Sequence, residues 1–198
     1  MKNTFLIAGS CMLLLLSCKK EIAEIPATTS VEVPENYAHY IIHKGAQYCD
    51  ENNFKSVTCT ELKFNVKFDS SAIYTTVAPG NQYDINKLYG FSDNNSDHHQ
   101  FSARFGWRWS AGALRLFGYV YNEGIRRSKE IGIVAIGSEN FCSIKVENGA
   151  YRFTLNKKID TIIRKSTTAQ AFGYRLYPYF GGDEMAPHDI NIWIKELQ

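Results

Sequence analysis

Over most of residues 36–198 apolar and polar side chains alternate with a period of two, and helical spacing is scarce. Leu62, Phe64, Val66 and Phe68 alternate with Lys63, Asn65, Lys67 and Asp69, which predicts an antiparallel strand with one wet face. Residues 101–109 repeat the pattern: Phe101, Ala103, Phe105, Trp107 and Trp109 point one way, and Ser102, Arg104, Gly106 and Arg108 the other. After a turn at Ser110-Ala111-Gly112, Leu114, Leu116, Gly118 and Val120 oppose Arg115, Phe117, Tyr119 and Tyr121. Further strands are predicted at 131–136, 141–146, 151–156 (after an Asn148-Gly149 turn), 171–179 and 189–196. Helix is expected only in short pieces, around Asp160 to Lys165. Many short strands with near-regular turns predict an all-β fold, an antiparallel β-sandwich of jelly-roll type.

The first residues follow another logic. Lys2 precedes an apolar stretch, Phe5 to Leu16, of signal-peptide length and too short to span a bilayer as a helix. It ends in Leu15-Leu16-Ser17-Cys18, which resembles the lipobox of bacterial lipoproteins. That resemblance implies cleavage before Cys18, lipidation of its sulfur and acylation of the new amine, enough acyl chain for a stable anchor. Residues 18–35, rich in Lys, Glu, Pro, Thr and Ser, read as a flexible tether. The expected layout is a signal peptide at 1–17, a tether at 18–35 and one β-sandwich domain at 36–198. The expected location is a membrane reached through the lipid anchor. Lys19 carries no aspartate-type inner-membrane retention signal, which points to the outer membrane.

With 22 basic and 20 acidic residues, net charge announces no polyanion, and nucleic acid is not expected as a partner. Cys49 and Cys59 lie close in sequence. They form either a disulfide, worth about 3 kcal/mol in a loop of this size, or two buried thiols; spacing alone leaves both open. Cys142 alternates with apolar neighbours and reads as a core thiol.

If the strands at 101–109 and 114–121 pair, one sheet face collects Ser102, Arg104, Arg108, Arg115, Phe117, Tyr119 and Tyr121. An ordinary wet face mixes charges of both signs; this one has three arginines, three aromatics and no carboxylate. Flat rings suit sugar faces, and forked guanidinium donors suit a carboxylate. The face is therefore a candidate cleft for an acidic polysaccharide or oligosaccharide. The alternative is a sheet packed by cross-strand pairs, with no ligand.

Three segments together, Lys87-Leu88-Tyr89-Gly90-Phe91, Ser102-Ala103-Arg104-Phe105-Gly106-Trp107-Arg108 and Tyr119-Val120-Tyr121, resemble the jelly-roll polysaccharide lyases that act on polyuronates such as alginate and glucuronan. The resemblance covers about 35 residues. Tyr89 stands where the family has proline, and Ser92-Asp93 replaces a glycine-rich continuation. It implies a β-elimination with catalytic Lys87, Arg104, Tyr119 and Tyr121. Arg104, with Lys87, would neutralise the uronate carboxylate, and Tyr119 or Tyr121 would serve as base and acid, because a phenol among cations favours its anion. Ser102, Arg108, Arg115, Phe117 and His99 would hold substrate. A glycan-binding lipoprotein without catalysis, or one that binds protein, uses the same face without this chemistry.

Two loops complete the inventory. Asp93-Asn94-Asn95-Ser96-Asp97 lacks the glycine and glutamate of an EF-hand and reads as a cleft-rim loop from which His98 and His99 reach substrate. Adjacent histidines on a strand point apart, so no zinc site is expected there. Asp183, Glu184 and Asp189 precede the final strand, where many β-sandwich sugar-binding and glucanase domains hold a structural calcium. They are candidate calcium ligands or, alternatively, members of a plain turn-rich loop. No other cofactor is expected, and Tyr174, Tyr177, Tyr179 and Phe180 are either a further sugar platform or packing.

Overall fold

A computed structural model describes residues 36–198. The signal segment 1–17, the lipidation candidate Cys18 and the tether 18–35 lie outside the described residues. Twelve strands make two six-stranded antiparallel sheets. In chain order they are β1 (Ala38–Ile42), β2 (Ser56–Cys59), β3 (Glu61–Phe68), β4 (Asn86–Ser92), β5 (Phe101–Ser110), β6 (Ala113–Asn122), β7 (Ile125–Val134), β8 (Glu139–Glu147), β9 (Ala150–Leu155), β10 (Lys158–Ile163), β11 (Ala171–Leu176) and β12 (Ile190–Leu197). One sheet runs β1-β12-β3-β8-β9-β10 and the other β2-β11-β4-β5-β6-β7. Short 3₁₀ turns at Ser70–Ala72 and Pro79–Tyr83 are the only helical pieces among the described residues. The fold is the expected jelly-roll sandwich.

Alternation explains the core. In β3 every second residue is buried, and Phe64 meets Phe105 of the opposite sheet edge-to-face at 5.7 Å. Phe105 in turn meets Phe153 at 5.3 Å, and Phe68 and Tyr74 pack on Trp107. Burying each such side chain contributes about 1.5–3 kcal/mol.

The β5–β6 hairpin has the predicted register, with Arg104 opposite Tyr119 and Ser102 opposite Tyr121. Its turn places Ala111 and Gly112 both at positive φ, as the two-residue turn at Asn148-Gly149 also does. The region around Asp160 is not helical. β10 pairs with β9 through a tight turn at Asn156, and its β-branched Ile159, Thr161, Ile162 and Ile163 favour the extended chain. The pairing of β11 with β4 is brief, only Arg175–Phe91 and Leu176–Gly90, and the Ser92 hydroxyl supplements it by accepting the Tyr174 N–H at 2.9 Å. The disulfide alternative is not realised. Cys49 and Cys59 are free thiols in different sheets, Cys49 bridging to β1 and Cys59 pairing with β11. Cys142 is a fully buried core thiol, as expected.

Candidate active site

β5 is buried on both faces between Ser102 and Trp107. One face is the core; the other is the floor of a cavity of about 610 Å³ on the outer side of its sheet. Lys87 of β4, Arg104 of β5, Tyr119 and Tyr121 of β6 and Arg126 of β7 line it in strand order. Tyr174 and Arg175 of β11, Tyr177 and Tyr179 beyond it, Tyr48 and Phe54 from the segment between β1 and β2, and His98 and His99 also line it. The lining residues thus include Lys87, Arg104, Arg126 and Arg175 and no carboxylate, although the buried Arg175 guanidinium pairs with Glu196 at 3.2 Å.

A β-bulge explains why Lys87 faces this cavity. Between Lys87 and Gly90 the register with β5 slips by one residue, so Leu88 and Tyr89 both turn to the core while Lys87 stays outward. Tyr89, at the position where the lyases carry proline, packs edge-on against Phe64 and its hydroxyl donates a hydrogen bond to Glu196 at 2.5 Å. The Lys87 main chain exchanges hydrogen bonds with that of Tyr179 at 2.8 and 3.0 Å. Its Nζ donates to the Ile85 carbonyl at 2.7 Å and sits 5.1 Å from the centre of the Tyr119 ring. Burial, then the charges of Arg104 and Arg126, pushes this ammonium down to about 8.

Arg104 is 6% exposed, with its guanidinium 5.6 Å from the Tyr119 ring. Its Nε finds no acceptor among the described residues, a costly state for a buried donor. Burial lowers it to about 10, so it remains charged at neutral pH. The Tyr119 phenol moves opposite to the sequence expectation. Burial, then the Tyr121 hydroxyl, raises it to about 12, and nearby cations do not offset that. His98 is held below the usual imidazole range by burial, then by Arg104 and His99.

The structure splits the predicted face. Lys87, Arg104, Tyr119, Tyr121 and His99 meet around the cavity. Ser102 does not: it is buried and its hydroxyl donates to the His98 carbonyl at 2.7 Å, pinning the rim turn. Arg108, Arg115 and Phe117 lie at the other end of the hairpin, outside the cavity lining. Arg108 stacks on Phe117 at 4.8 Å and donates to the Tyr83 carbonyl, while Arg115 pairs with Glu130 at 2.9 Å. There the edge strand β7 supplies the carboxylate that the hairpin itself lacks.

Two of the three calcium candidates, Glu184 and Asp189, anchor loops. Glu184 accepts the Val77 and Ala78 N–H groups and the Asn81 amide, each at 2.8 Å. Asp189 accepts the Lys44 N–H at 2.7 Å, and Asp183 is exposed. A cation at Glu184 or Asp189 would share those carboxylates with the donors they already accept.

Arg126, Arg175, Tyr48 and Phe54 were invisible as site residues in the sequence. Arg126 sits in a charged edge strand that reads as solvated, and Tyr48 and Phe54 come from a segment without periodicity.

No protein-family model matches the sequence, and no curated protein matches it. Solved structures do. The alginate lyase AlyC3, also solved with dimannuronate, aligns with a TM-score of 0.54 at 9% identity over 81% of this chain and 74% of its own. A Bacteroides ovatus mixed-linkage-glucan glycoside hydrolase of family 16, solved with its product, gives 0.52 at 13% identity over 81% of both chains. An alginate lyase from Klebsiella pneumoniae gives 0.52 at 12% identity over 70% of this chain, which spans 59% of the lyase. At such identities the likeness establishes the fold: this chain carries the jelly-roll sandwich found in alginate lyases and family 16 glycoside hydrolases.

Proposed function

We propose that the domain binds an acidic polysaccharide of the polyuronate class in this cavity and cleaves it by β-elimination. The observation that carries the reading is the lining: the cations Lys87, Arg104 and Arg126, seven aromatic rings and no carboxylate, with the buried Arg104 Nε unpaired among the described residues. Rings offer platforms for sugar faces and the guanidinium offers a fork for a uronate carboxylate. The same lining disfavours a two-carboxylate glycosidase, which needs a pair of Asp or Glu flanking the scissile bond.

In this reading Arg104 neutralises the carboxylate and so acidifies the C5 proton. The Lys87 amine, neutral in part near pH 8, takes that proton. The electron pair forms the C4–C5 double bond as the C4–O bond breaks, and Tyr119, protonated at neutral pH, gives its proton to the departing oxygen. Tyr121 and His99 hold the sugar against Tyr119. Ultraviolet absorbance of the conjugated product, followed on a panel of polyuronates, tests the reading. Turnover that is lost in Arg104→Ala, and lost in Tyr119→Phe with binding retained, supports it. Retention of uronate oligomers without absorbance gain on any member favours a glycan-binding module instead. One observation favours that second reading: the Lys87 ammonium is already engaged by the Ile85 carbonyl.

The proposal extends to placement: the protein is anchored through Cys18, in the outer membrane, supported by the lipobox-like Leu15-Leu16-Ser17-Cys18. Cys18→Ala is expected to move it to the soluble fraction, and continued membrane association would refute the anchor.

A further inference from the structure

The sequence argued against a metal at His98 and His99 because neighbours on a strand diverge. They are not on a strand. The Asp97 carbonyl accepts the N–H groups of Gln100 (2.8 Å) and Phe101 (3.1 Å), so residues 97–101 close a tight turn with helix-like hydrogen bonding, and the Asp97 carboxylate accepts the His99 N–H at 2.8 Å. In such a turn successive side chains diverge by about 100° rather than 180°. Both imidazoles therefore come to one side, with ring centres 4.2 Å apart.

His98 Nδ1 lies 3.7 Å from one Asp97 carboxylate oxygen and His99 Nδ1 lies 3.5 Å from the other. All three ligand atoms fall within 4.8 Å of one another, and among the described residues no other trio of His, Cys, Asp or Glu does so. Around a tetrahedral ion with bonds of about 2.1 Å, ligand atoms stand about 3.4 Å apart, so small rotamer adjustments bring these three into the first coordination sphere. The cost is the contact of His98 Nδ1 with the Tyr174 hydroxyl at 2.9 Å, which a metal–nitrogen bond replaces.

We infer that Asp97, His98 and His99 form a binding site for a divalent late transition-metal ion of the zinc class at the mouth of the cavity. Two imidazoles and one carboxylate suit zinc, nickel or copper, whereas calcium and magnesium prefer oxygen throughout. Three protein ligands would leave a fourth position open, and both histidines line the cavity.

Titration calorimetry of the full-length chain, prepared without a histidine tag, against a zinc salt alone tests the site. One equivalent is expected to bind, with affinity at least about tenfold weaker in His98→Ala, in His99→Ala and in Asp97→Asn. His43→Ala, which removes the His43–Asp189 pair away from the cavity lining, should leave it unchanged. The copper(II)-loaded protein should show electron-paramagnetic coupling to two imidazole nitrogens. His99 is exposed, so its variant decides the matter should the buried contacts of His98 prove necessary for the turn. Failure of the wild-type chain to bind zinc, binding that survives His99→Ala, or binding removed by His43→Ala would each overturn the inference. None of these readouts depends on lyase activity, so this inference and the polyuronate reading fail separately.

Discussion

Lys87 and Arg104 are cations held where folding alone would not put them. Arg104 has a buried nitrogen without an acceptor among the described residues, and Lys87 is buried with the charges of Arg104 and Arg126 outweighing that of Asp84 and donates to a single carbonyl. Burial lowers the Lys87 ammonium from about 10.4 in an unfolded chain to about 8, so between those values the native protein binds fewer protons than the unfolded one. Stability is accordingly expected to rise with pH across that window, and the cost is present in full below it. Lys87→Met keeps the length of the side chain and removes the charge. It should raise the melting temperature at pH 7, flatten that pH dependence and abolish elimination; a lower melting temperature would mean that the lysine stabilises the fold. If Lys87 is the base, activity of the wild-type chain rises through about pH 8, or higher once the anionic sugar is bound.

The element that sets the site is the bulged strand β4 against β5. Gly90 sits where a Cβ would collide with the Ala103 carbonyl oxygen and the Arg104 backbone. Gly90→Ala should therefore cost about 1–3 kcal/mol or more in denaturant unfolding, as overpacking does, and shift Arg104. The β5–β6 turn offers the converse case. Ala111 adopts a φ of +50°, which costs a residue with a Cβ about 1–2 kcal/mol, so Ala111→Gly should stabilise by about 0.5–1 kcal/mol after its entropy cost. The hairpin was legible because period-two alternation and a turn signal fix which side chains share a face; hence Arg104, Tyr119 and Tyr121 could be grouped in advance. The limit of that logic is that a face is longer than a cavity. Arg108, Arg115 and Phe117 share the face but not the site, since the walls come from Tyr48, Phe54 and Tyr179, brought in by non-local contacts that no local pattern encodes. Bulges are equally silent, because one inserted residue at Leu88-Tyr89 looks like a short apolar run.

Across the whole molecule the two sheets are bolted together at one end by Asp93. Its carboxylate takes Arg164 through Nε at 2.8 Å and Nη2 at 3.1 Å, the Tyr151 hydroxyl at 2.6 Å and the Asn94 N–H at 2.6 Å, with both charged side chains almost fully buried. Burial opposes ionisation, but the Arg164, Tyr151 and backbone hydrogen bonds together hold this carboxyl below its usual range. The stabilisation is therefore complete above about pH 4, the value for an unfolded aspartate, and is lost as pH falls through the lower folded value. Asp93→Asn strands the arginine and should cost about 3–5 kcal/mol, while pairing Asp93→Leu with Arg164→Met should recover much of it; denaturant midpoints at pH 7 decide.

The short seam between β11 and β4 has a consequence for traffic. Against β4 the wall makes only the pairs Arg175–Phe91 and Leu176–Gly90 and, beyond the strand, the single Tyr179–Lys87 bridge, whereas the floor of the cavity belongs to the ten-pair β5–β6 hairpin. The wall is thus expected to detach locally at a fraction of the free energy of global unfolding. Amides of residues 173–176 should exchange with deuterium well before those of 103–107. Equal protection would mean that the seam opens only with the whole fold. A hinged wall over a rigid floor lets a long chain enter sideways, without threading an end, and leave after a cut in its middle.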